Sequence, residues 1–248
     1  MISKANHSPS VSRSHRSPLV CLIAGVIALQ GTLLAGSLRF LPWDDSVSAR
    51  QIALLGKSSI ELEDLHPGKR SKAYPAGEGE TAPKLVALDR SNPDGKPVTI
   101  DIKVDPKFQT PLVLIIPDPK HPTGLRPFVV EDDSSNFSWG SVRILNATGK
   151  ELMIRQEKII KALPKSWTPV DIAQAGKARN VGVQVAARDK PKDILYSAVW
   201  EHSPDVRKLV FIVPGADART GSVECKIIPQ DRRVVAAEKS DAATTKAP

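Results

Sequence analysis

The chain has 248 residues and a formal net charge of +8, a length that fits one or two globular domains. Its 21 prolines exclude a protein built mainly from long helices, because an internal proline costs a helix about 3 kcal/mol. The charge does not indicate nucleic-acid binding. Lys4, Arg13 and Arg16 precede the first apolar run, and the remaining basic residues are interspersed with acidic ones.

The amino-terminal part has the composition of an export segment. Residues 1–18 are polar, serine-rich and basic, and residues 19–38 form an apolar run long enough to cross a bilayer as a helix. This order is typical of a signal peptide or of an uncleaved membrane anchor. Ala35 suits a cleavage site and Leu33 does not, so both alternatives stay open. We predict a basic cytoplasmic segment, a membrane-inserting helix and an exported remainder.

Three further segments differ in composition. Residues 39–83 have weak periodicity and end in many glycine, proline and charged residues, which predicts an irregular linker region. Within it, residues 51–55 and 59–65 could form a short helix and a strand, or two strands. Residues 84–230 carry the strand patterns and predict a single domain, large enough to bury roughly 68–70% of its unfolded surface. Residues 231–248 lack apolar periodicity and are rich in alanine, lysine, threonine and aspartate, which predicts a disordered tail.

The first part of the predicted domain alternates strand and turn patterns. Residues 98–104 alternate apolar with polar side chains, which indicates a strand with one solvated face. Residues 112–116 are apolar throughout, which is typical of a strand covered on both faces. Residues 147–149 have the composition of a tight hairpin turn. Further strands are predicted at residues 128–131, 141–146, 151–155, 159–163 and 168–172.

Residues 181–228 carry the clearest strand pattern and predict four consecutive antiparallel strands. The first, second and fourth alternate in polarity, and the third is apolar throughout. The four predicted strands are residues 181–187, 194–200, 209–213 and 223–227. Cys225 shares the face of Val223 and Ile227, which predicts a buried thiol without a disulfide partner.

Two stretches of the predicted domain resemble each other. Residues 112–124 (LVLIIPDPKHPTG) and 209–221 (LVFIVPGADARTG) are identical at six of thirteen positions. One interpretation is a duplicated hairpin, with two central strands related by pseudo-symmetry inside one sandwich. The other is that buried strands and Pro/Thr-Gly turns draw on few residue types. The sequence leaves both interpretations open.

The alternating and fully apolar strands together predict an all-β fold, an immunoglobulin-like antiparallel β-sandwich with an N-terminal hydrophobic helix and disordered tails. The stretches at residues 128–152 and 179–215 resemble uncharacterised exported bacterial β-rich proteins. The resemblance covers roughly residues 98–230, and it implies export and a sandwich-like body. It implies no activity and no functional residue.

One acidic cluster is a candidate metal site. Glu131, Asp132 and Asp133, with Asn136 nearby, offer the hard oxygen ligands that calcium prefers, and Asp132 and Asp133 are the residues to test first. The spacing of a calcium-binding EF-hand is absent from these residues. The alternative is that the acidic side chains cap a strand end and a turn. No pattern in the sequence predicts an organic cofactor.

Tryptophans are the other candidate ligand-binding residues. Trp139 and Trp167 could form an aromatic platform for a sugar or a peptide, or pack in the core as large aromatics commonly do. Ser-based hydrolysis is not predicted, because the G-x-S-x-G signature is absent.

These patterns predict a binding module more than an enzyme. We expect an exported, membrane-tethered domain that contacts another envelope protein or has a structural role in the envelope, located in the periplasm or anchored to the inner membrane. Residues 19–38 would provide the membrane contact. The alternatives are a carbohydrate-binding module and a hydrolase whose site forms only in the fold. The oligomeric state stays open.

Overall fold

The computed structural model describes residues 36–56, 58–76, 82–216 and 222–244. Sixteen strands and two helices occur in them, so the predicted all-β class is confirmed. Neither helix in these ranges has the length and apolar character needed to span a membrane. Most of the predicted membrane helix at residues 19–38 lies outside the described residues. Its last two residues, Ser37 and Leu38, open the first strand, and Leu38 is fully buried.

The first eight strands form two four-stranded sheets, which we call the N lobe. Sheet I has the order β4-β1-β7-β8, and sheet II has the order β3-β2-β5-β6. The strands are β1 (Ser37–Pro42), β2 (Ile52–Leu55), β3 (Ser59–Glu61), β4 (Tyr74–Pro75), β5 (Lys84–Ser91), β6 (Pro97–Asp101), β7 (Pro111–Pro117) and β8 (Leu125–Glu131). A short helix, α1 (Asp45–Ser48), follows β1.

Sheets I and II pack face to face. Their shared core contains Phe40 and Val113 from sheet I and Leu54 and Leu85 from sheet II, all essentially inaccessible to solvent. Burial of such large apolar side chains stabilises the lobe by roughly 1.5–3 kcal/mol each. The strand β7 pairs with β1 in parallel and with β8 antiparallel, so it lies in the middle of sheet I.

The last eight strands form a second pair of sheets, which we call the C lobe. Sheet III has the order β12-β9-β15-β16, and sheet IV has the order β11-β10-β13-β14. The strands are β9 (Val142–Asn146), β10 (Leu152–Gln156), β11 (Ile159–Leu163), β12 (Val170–Ile172), β13 (Arg179–Ala187), β14 (Lys190–His202), β15 (Val206–Pro214) and β16 (Val223–Asp231). Their core contains Ile144 and Val210 from sheet III and Ile154 and Val185 from sheet IV.

The two lobes have the same strand order. If each strand of the N lobe is matched to the one eight places later, every pairing recurs, including the parallel pairs β1 with β7 and β9 with β15. Arg39 lies opposite Leu112 in one lobe, and Arg143 lies opposite Leu209 in the other. The strand residues of the two similar stretches, 112–117 and 209–214, therefore occupy equivalent places. They belong to two separate sheet pairs, and not to one sandwich.

The lobes meet through sheets I and III. A third apolar cluster joins Leu41 and Leu114 of sheet I to Leu145 and Phe211 of sheet III, and all four side chains are almost fully buried. Phe137, in the connection between the lobes, belongs to the same cluster. The layers therefore follow the order II, I, III, IV. The two inner sheets are covered on both faces, which explains why β7 and residues 209–213 of β15 are apolar throughout.

Two segment predictions need correction. The linker predicted at residues 39–83 instead contains β1 to β4 and part of the N-lobe core, because the partner of β1 is β7, far along the chain, and not a local hairpin. The tail predicted to be disordered from residue 231 begins with the end of β16 and continues as helix α2 (Arg232–Thr244), whose alanines favour a helix. Residues 245–248 lie outside the described residues.

The pairing of consecutive strands also differs from the prediction. Residues 147–149 join β9 in sheet III to β10 in sheet IV, so they cross between layers and do not close a hairpin. Likewise, β13 pairs with β14 and β15 pairs with β16, but the two pairs lie in different sheets. Local alternation predicted the strands correctly and did not determine which sheet each joined.

Candidate functional site

A groove of about 1020 Å³ opens between the lobes and is the main candidate binding site. We call it the interlobe groove. Ile116 and Pro117 at the end of β7 line one side, and Val213 and Pro214 at the end of β15 line the other. Because these positions are equivalent in the two lobes, the groove is built from the repeat itself. Because β1 pairs with β7 in parallel, and β9 with β15, the carboxyl ends of each pair lie at the same end of their sheet.

Loops from both lobes complete the groove. Trp43 follows β1, and Ala147 follows β9 at the equivalent place. The connection from β3 to β4 contributes His66, and the corresponding connection from β11 to β12 contributes Trp167. The equivalent loops therefore carry different side chains, and these give the groove its chemistry.

An aromatic cluster forms one wall of the groove. The rings of Trp43 and Trp167 are 5.7 Å apart between centroids and inclined by 39°. Phe211 lies 5.4 Å from Trp43, and Phe128 lies 5.2 Å from Trp167, both nearly edge to face. Contacts of this kind add about 0.5–1.5 kcal/mol each beyond area burial. The indoles are therefore held in place by the fold, while both side chains keep partial exposure.

The backbone of Trp167 is strained. Its φ of 58° lies in the left-handed region, where a bulky side chain is a genuine outlier. Such a conformation costs on the order of 1–3 kcal/mol and is retained only where the surrounding structure enforces it. The contacts with Trp43, Phe128 and Phe211 supply that constraint. The strained residue lines the groove, and this supports the groove as a functional site.

Charged side chains surround the apolar floor of the groove. Asp44, Asp45, Glu224 and Lys226 all line it. Lys226 donates a hydrogen bond to the carbonyl of Trp43, and its Nζ lies 5.4 Å from the centre of the Trp43 ring. Burial lowers the pKa of Lys226, and the carboxylates of Asp44 and Asp45 oppose that shift. The groove therefore combines aromatic, aliphatic and predominantly acidic groups.

Of the two predicted tryptophans, only Trp167 belongs to the groove. Trp139 lies in the connection between the lobes, where the guanidinium carbon of Arg207 is 5.0 Å from its ring centre. That contact is a cation–π interaction within the protein. The structure therefore pairs Trp167 with Trp43, a residue absent from the predicted set, and places Trp139 elsewhere.

The predicted metal ligand Asp132 is surrounded by arginines. Its two carboxylate oxygens accept bonds from Arg70 at 2.6 and 2.9 Å and from Arg207 at 3.3 Å. The side chains of Asp132 and Arg70 are both 3% exposed. Burial lowers the pKa of Arg207 to about 10, and Asp132 opposes this shift. The carboxylate neutralises guanidinium groups of both lobes, and such an environment opposes cation binding.

Asp133 has a different local role. Its Oδ1 accepts bonds from the backbone and hydroxyl of Ser135, and its Oδ2 accepts from Thr110 at 3.0 Å. The bonds from Ser135 contribute most to lowering the pKa of Asp133. This is the turn-capping arrangement that was the alternative to a metal site. Within the described ranges, no group of three or more His, Cys, Asp or Glu side chains is placed to hold a metal ion.

Sequence reasoning missed Trp43, Asp45 and Lys226. Trp43 and Asp45 fall in the stretch interpreted as a linker, and Lys226 appeared only as the polar face of a strand. The sequence did contain one indication of the groove, the similarity of residues 112–124 to 209–221. Pro117 and Pro214, at the same position in the two stretches, both line the groove. No protein-family model matches the chain, and no curated protein sequence matches it significantly.

Proposed function

We propose that this protein is an exported, membrane-tethered interaction module that binds an extended segment of another envelope protein in the interlobe groove. The observation that carries the proposal is the groove itself, an open and largely apolar channel at the junction of two fixed lobes. Aromatic-lined grooves are one of the recurring sites at which proteins bind extended peptide segments. Specificity would come from the aromatic wall and the charged rim.

Export is the second part of the proposal. The apolar run that begins at residue 19 follows a basic segment, which supports membrane insertion with the remainder outside the cytoplasm. The strand β1 begins at Ser37, so the folded body starts close behind the run. Either cleavage or retention of the run is compatible with that spacing.

We propose that each lobe is immunoglobulin-like in having two packed sheets, but not in how its strands are connected. Two packed four-stranded sheets support the layering. In constant-type immunoglobulin domains the first and second strands share a sheet. Here β1 and β2 lie in different sheets, as do β9 and β10. The comparison therefore extends to the architecture and not to the connectivity.

A protein partner is favoured over a sugar by the state of the indole rings. A sugar-binding platform needs a free aromatic face. Trp167 is surrounded by Trp43, Phe128 and Phe211, with the guanidinium carbon of Arg126 5.8 Å from its ring centre. The indoles thus present edges and limited area, which suits apolar side chains of a peptide.

Site-specific photo-crosslinking tests the binding site. The full chain would carry a photoreactive phenylalanine analogue at Val213, in the groove, or at exposed Thr99 in sheet II as the matched control. We expect a discrete adduct from envelope fractions with position 213 only, and its loss when Pro117→Trp fills the groove. Identical adducts from both positions would overturn the proposal. Retention on immobilised glycans that disappears with Trp167→Ala would establish the sugar-binding alternative instead.

Protease accessibility tests export. Full-length protein in bacterial spheroplasts should be digested by added protease, and a chain lacking residues 1–35 should be protected. Equal protection of both chains would show that the body stays in the cytoplasm.

A further inference from the structure

The charge of the groove is opposite to that of the chain. The chain as a whole has a formal net charge of +8, yet the described residues that line the groove include three carboxylates and one ammonium group. A groove of one dominant sign concentrates ligands of the other sign. The charge of these lining residues therefore favours a cationic ligand.

The three carboxylates differ in the hydrogen bonds that they accept within the protein. Asp44 is the N-cap of α1, and its Oδ1 accepts bonds from the backbone of Val47 at 3.0 Å and from Ser46 at 2.6 Å. Asp45, the next residue, is exposed in the first turn of the same helix. Glu224 accepts a bond from the backbone of Ala216 at 2.9 Å. Asp45 is thus the carboxylate most open to a ligand.

The one ammonium group of the lining is turned towards the groove wall. Lys226 bonds the carbonyl of Trp43 and lies over its ring, so its charge is directed at the aromatic wall. Arg126 makes a similar approach to Trp167. Both indoles of the wall therefore already contact cations of the chain itself. A ligand cation would be attracted by the acidic rim rather than by these rings.

From this we propose that the segment bound in the interlobe groove is an extended cationic peptide, in which Lys or Arg residues alternate with apolar ones. This inference rests on the proposed function and specifies its partner. Alternation follows from extended geometry, because successive side chains point to opposite sides. Apolar side chains would lie against Ile116, Val213 and the indoles, and the cationic ones would face Asp45 and its neighbours.

Two synthetic peptides with opposite charge test the inference. The first alternates lysine and valine over nine residues, and the second replaces every lysine by glutamate. Binding to the full chain would be followed by fluorescence anisotropy of the labelled peptide. We expect the lysine peptide to bind at least about tenfold more tightly, and its affinity to fall several-fold between about 50 and 500 mM NaCl as charges are screened.

Two charge-reversal variants test whether the acidic rim of the groove causes the preference for the lysine peptide. Asp45→Lys should weaken the lysine peptide by about tenfold or more, because it reverses a rim charge beside the ligand. Asp189→Lys changes the overall charge by the same amount at the exposed turn between β13 and β14 and should leave affinity nearly unchanged. Equal effects of both variants would show that only net charge matters and would overturn the inference.

The outcomes also separate this inference from the proposed function. Equal binding of both peptides, or tighter binding of the glutamate peptide, would refute the cationic ligand and leave the groove as a peptide site. Failure of both peptides, together with a position-213 adduct in the crosslinking experiment, would refute the ligand class alone. Failure of both experiments would refute the proposed function itself.

Discussion

The N and C lobes reach one topology from sequences that differ in almost every strand. The C-lobe strands β13 and β14 have 9 and 13 residues, whereas the equivalent N-lobe strands β5 and β6 have 8 and 5. Identity between the lobes is clear in β7 and β15, which are covered on both faces, and recurs at Arg39 of β1 and Arg143 of β9. The burial pattern thus preserves the topology, while strand length and loop side chains differ.

The lobes differ in the side chains that they contribute to the groove. Both contribute equivalent backbone positions, but Trp43 of the N lobe corresponds to Ala147 of the C lobe. His66 lies in the N-lobe loop that corresponds to the C-lobe loop with Trp167. A repeated framework thus holds an asymmetric site.

The strongest effect should come from the buried ion cluster that joins the lobes. Asp132→Asn leaves Arg70 and Arg207 as uncompensated buried charges, so we expect a loss of about 3–5 kcal/mol of unfolding free energy. Urea denaturation measures it. Asp133→Asn is the matched control and should cost roughly 0.5–1.5 kcal/mol, the range of an ordinary hydrogen bond. Similar losses for the two variants would contradict the role assigned to Asp132.

Matched truncations test whether the lobes are energetically equivalent. Ile115 and Ile212 occupy corresponding places in β7 and β15, and both are fully buried. Each alanine variant should lose about 2–5 kcal/mol. Because the lobes share an apolar face, fluorescence and circular dichroism should report one transition in either variant. Two separated transitions would show that the lobes unfold independently.

Substitution of the strained Trp167 should change the unfolding free energy less, and here the glycine variant should be more stable than the alanine variant. Trp167→Ala should cost about 1–3 kcal/mol, because a half-buried aromatic side chain loses its packing. Glycine usually costs more than alanine, but at a positive φ it relieves strain, so Trp167→Gly should be more stable than Trp167→Ala by up to about 1 kcal/mol. Thermal or urea denaturation of the pair measures the difference. A less stable glycine variant would contradict the left-handed backbone.

The smallest expected effect is a pH-dependent one in the N lobe. Arg50 binds both oxygens of Asp89 at 2.7 Å, and this hydrogen bonding is the main cause that lowers the pKa of Asp89. A lowered carboxylate pKa stabilises the fold above the unfolded value of 3.8 and loses that contribution as pH falls below it. Asp89→Asn should therefore cost up to about 1 kcal/mol at neutral pH.

That difference between Asp89→Asn and the unmodified chain should shrink as the pH falls below 3.8 and through the lowered pKa of Asp89, because the carboxylate becomes protonated. Denaturant unfolding at several pH values measures it. A difference that stays constant with pH would show that lost packing, and not charge, explains the cost.

The sequence predicted much of the strand content and little of the assembly. All predicted strands after residue 98 exist, because their alternation is a local property. Sheet membership is not local, so the crossing at residues 147–149 resembled a hairpin. The N-lobe strands β1, β4 and β5 were not predicted; β4 has 2 residues, and β1 depends on β7 for pairing. The strands β2 and β3 match one of the two alternatives for residues 51–55 and 59–65.

The candidate site was predictable in part. Trp167 was identified by residue type, but its proximity to Trp43 depends on the packing of sheet I against sheet III. Asp132 was singled out for its charge, while its buried arginine partners come from β15 and from the loop after β3. The position of Cys225 against the C-lobe core was a local inference, although the side chain is only partly buried. Burial raises the pKa of Cys225 to about 12, which makes it a weak nucleophile at neutral pH.

The direction of β1 has a geometric consequence. Gly36 accepts a bond from Ala76 at the beginning of the strand, and Trp43 enters the groove just after its end. A strand of 6 residues separates these points, which corresponds to about 20 Å. Gly36 and the mouth of the groove therefore lie at opposite ends of β1.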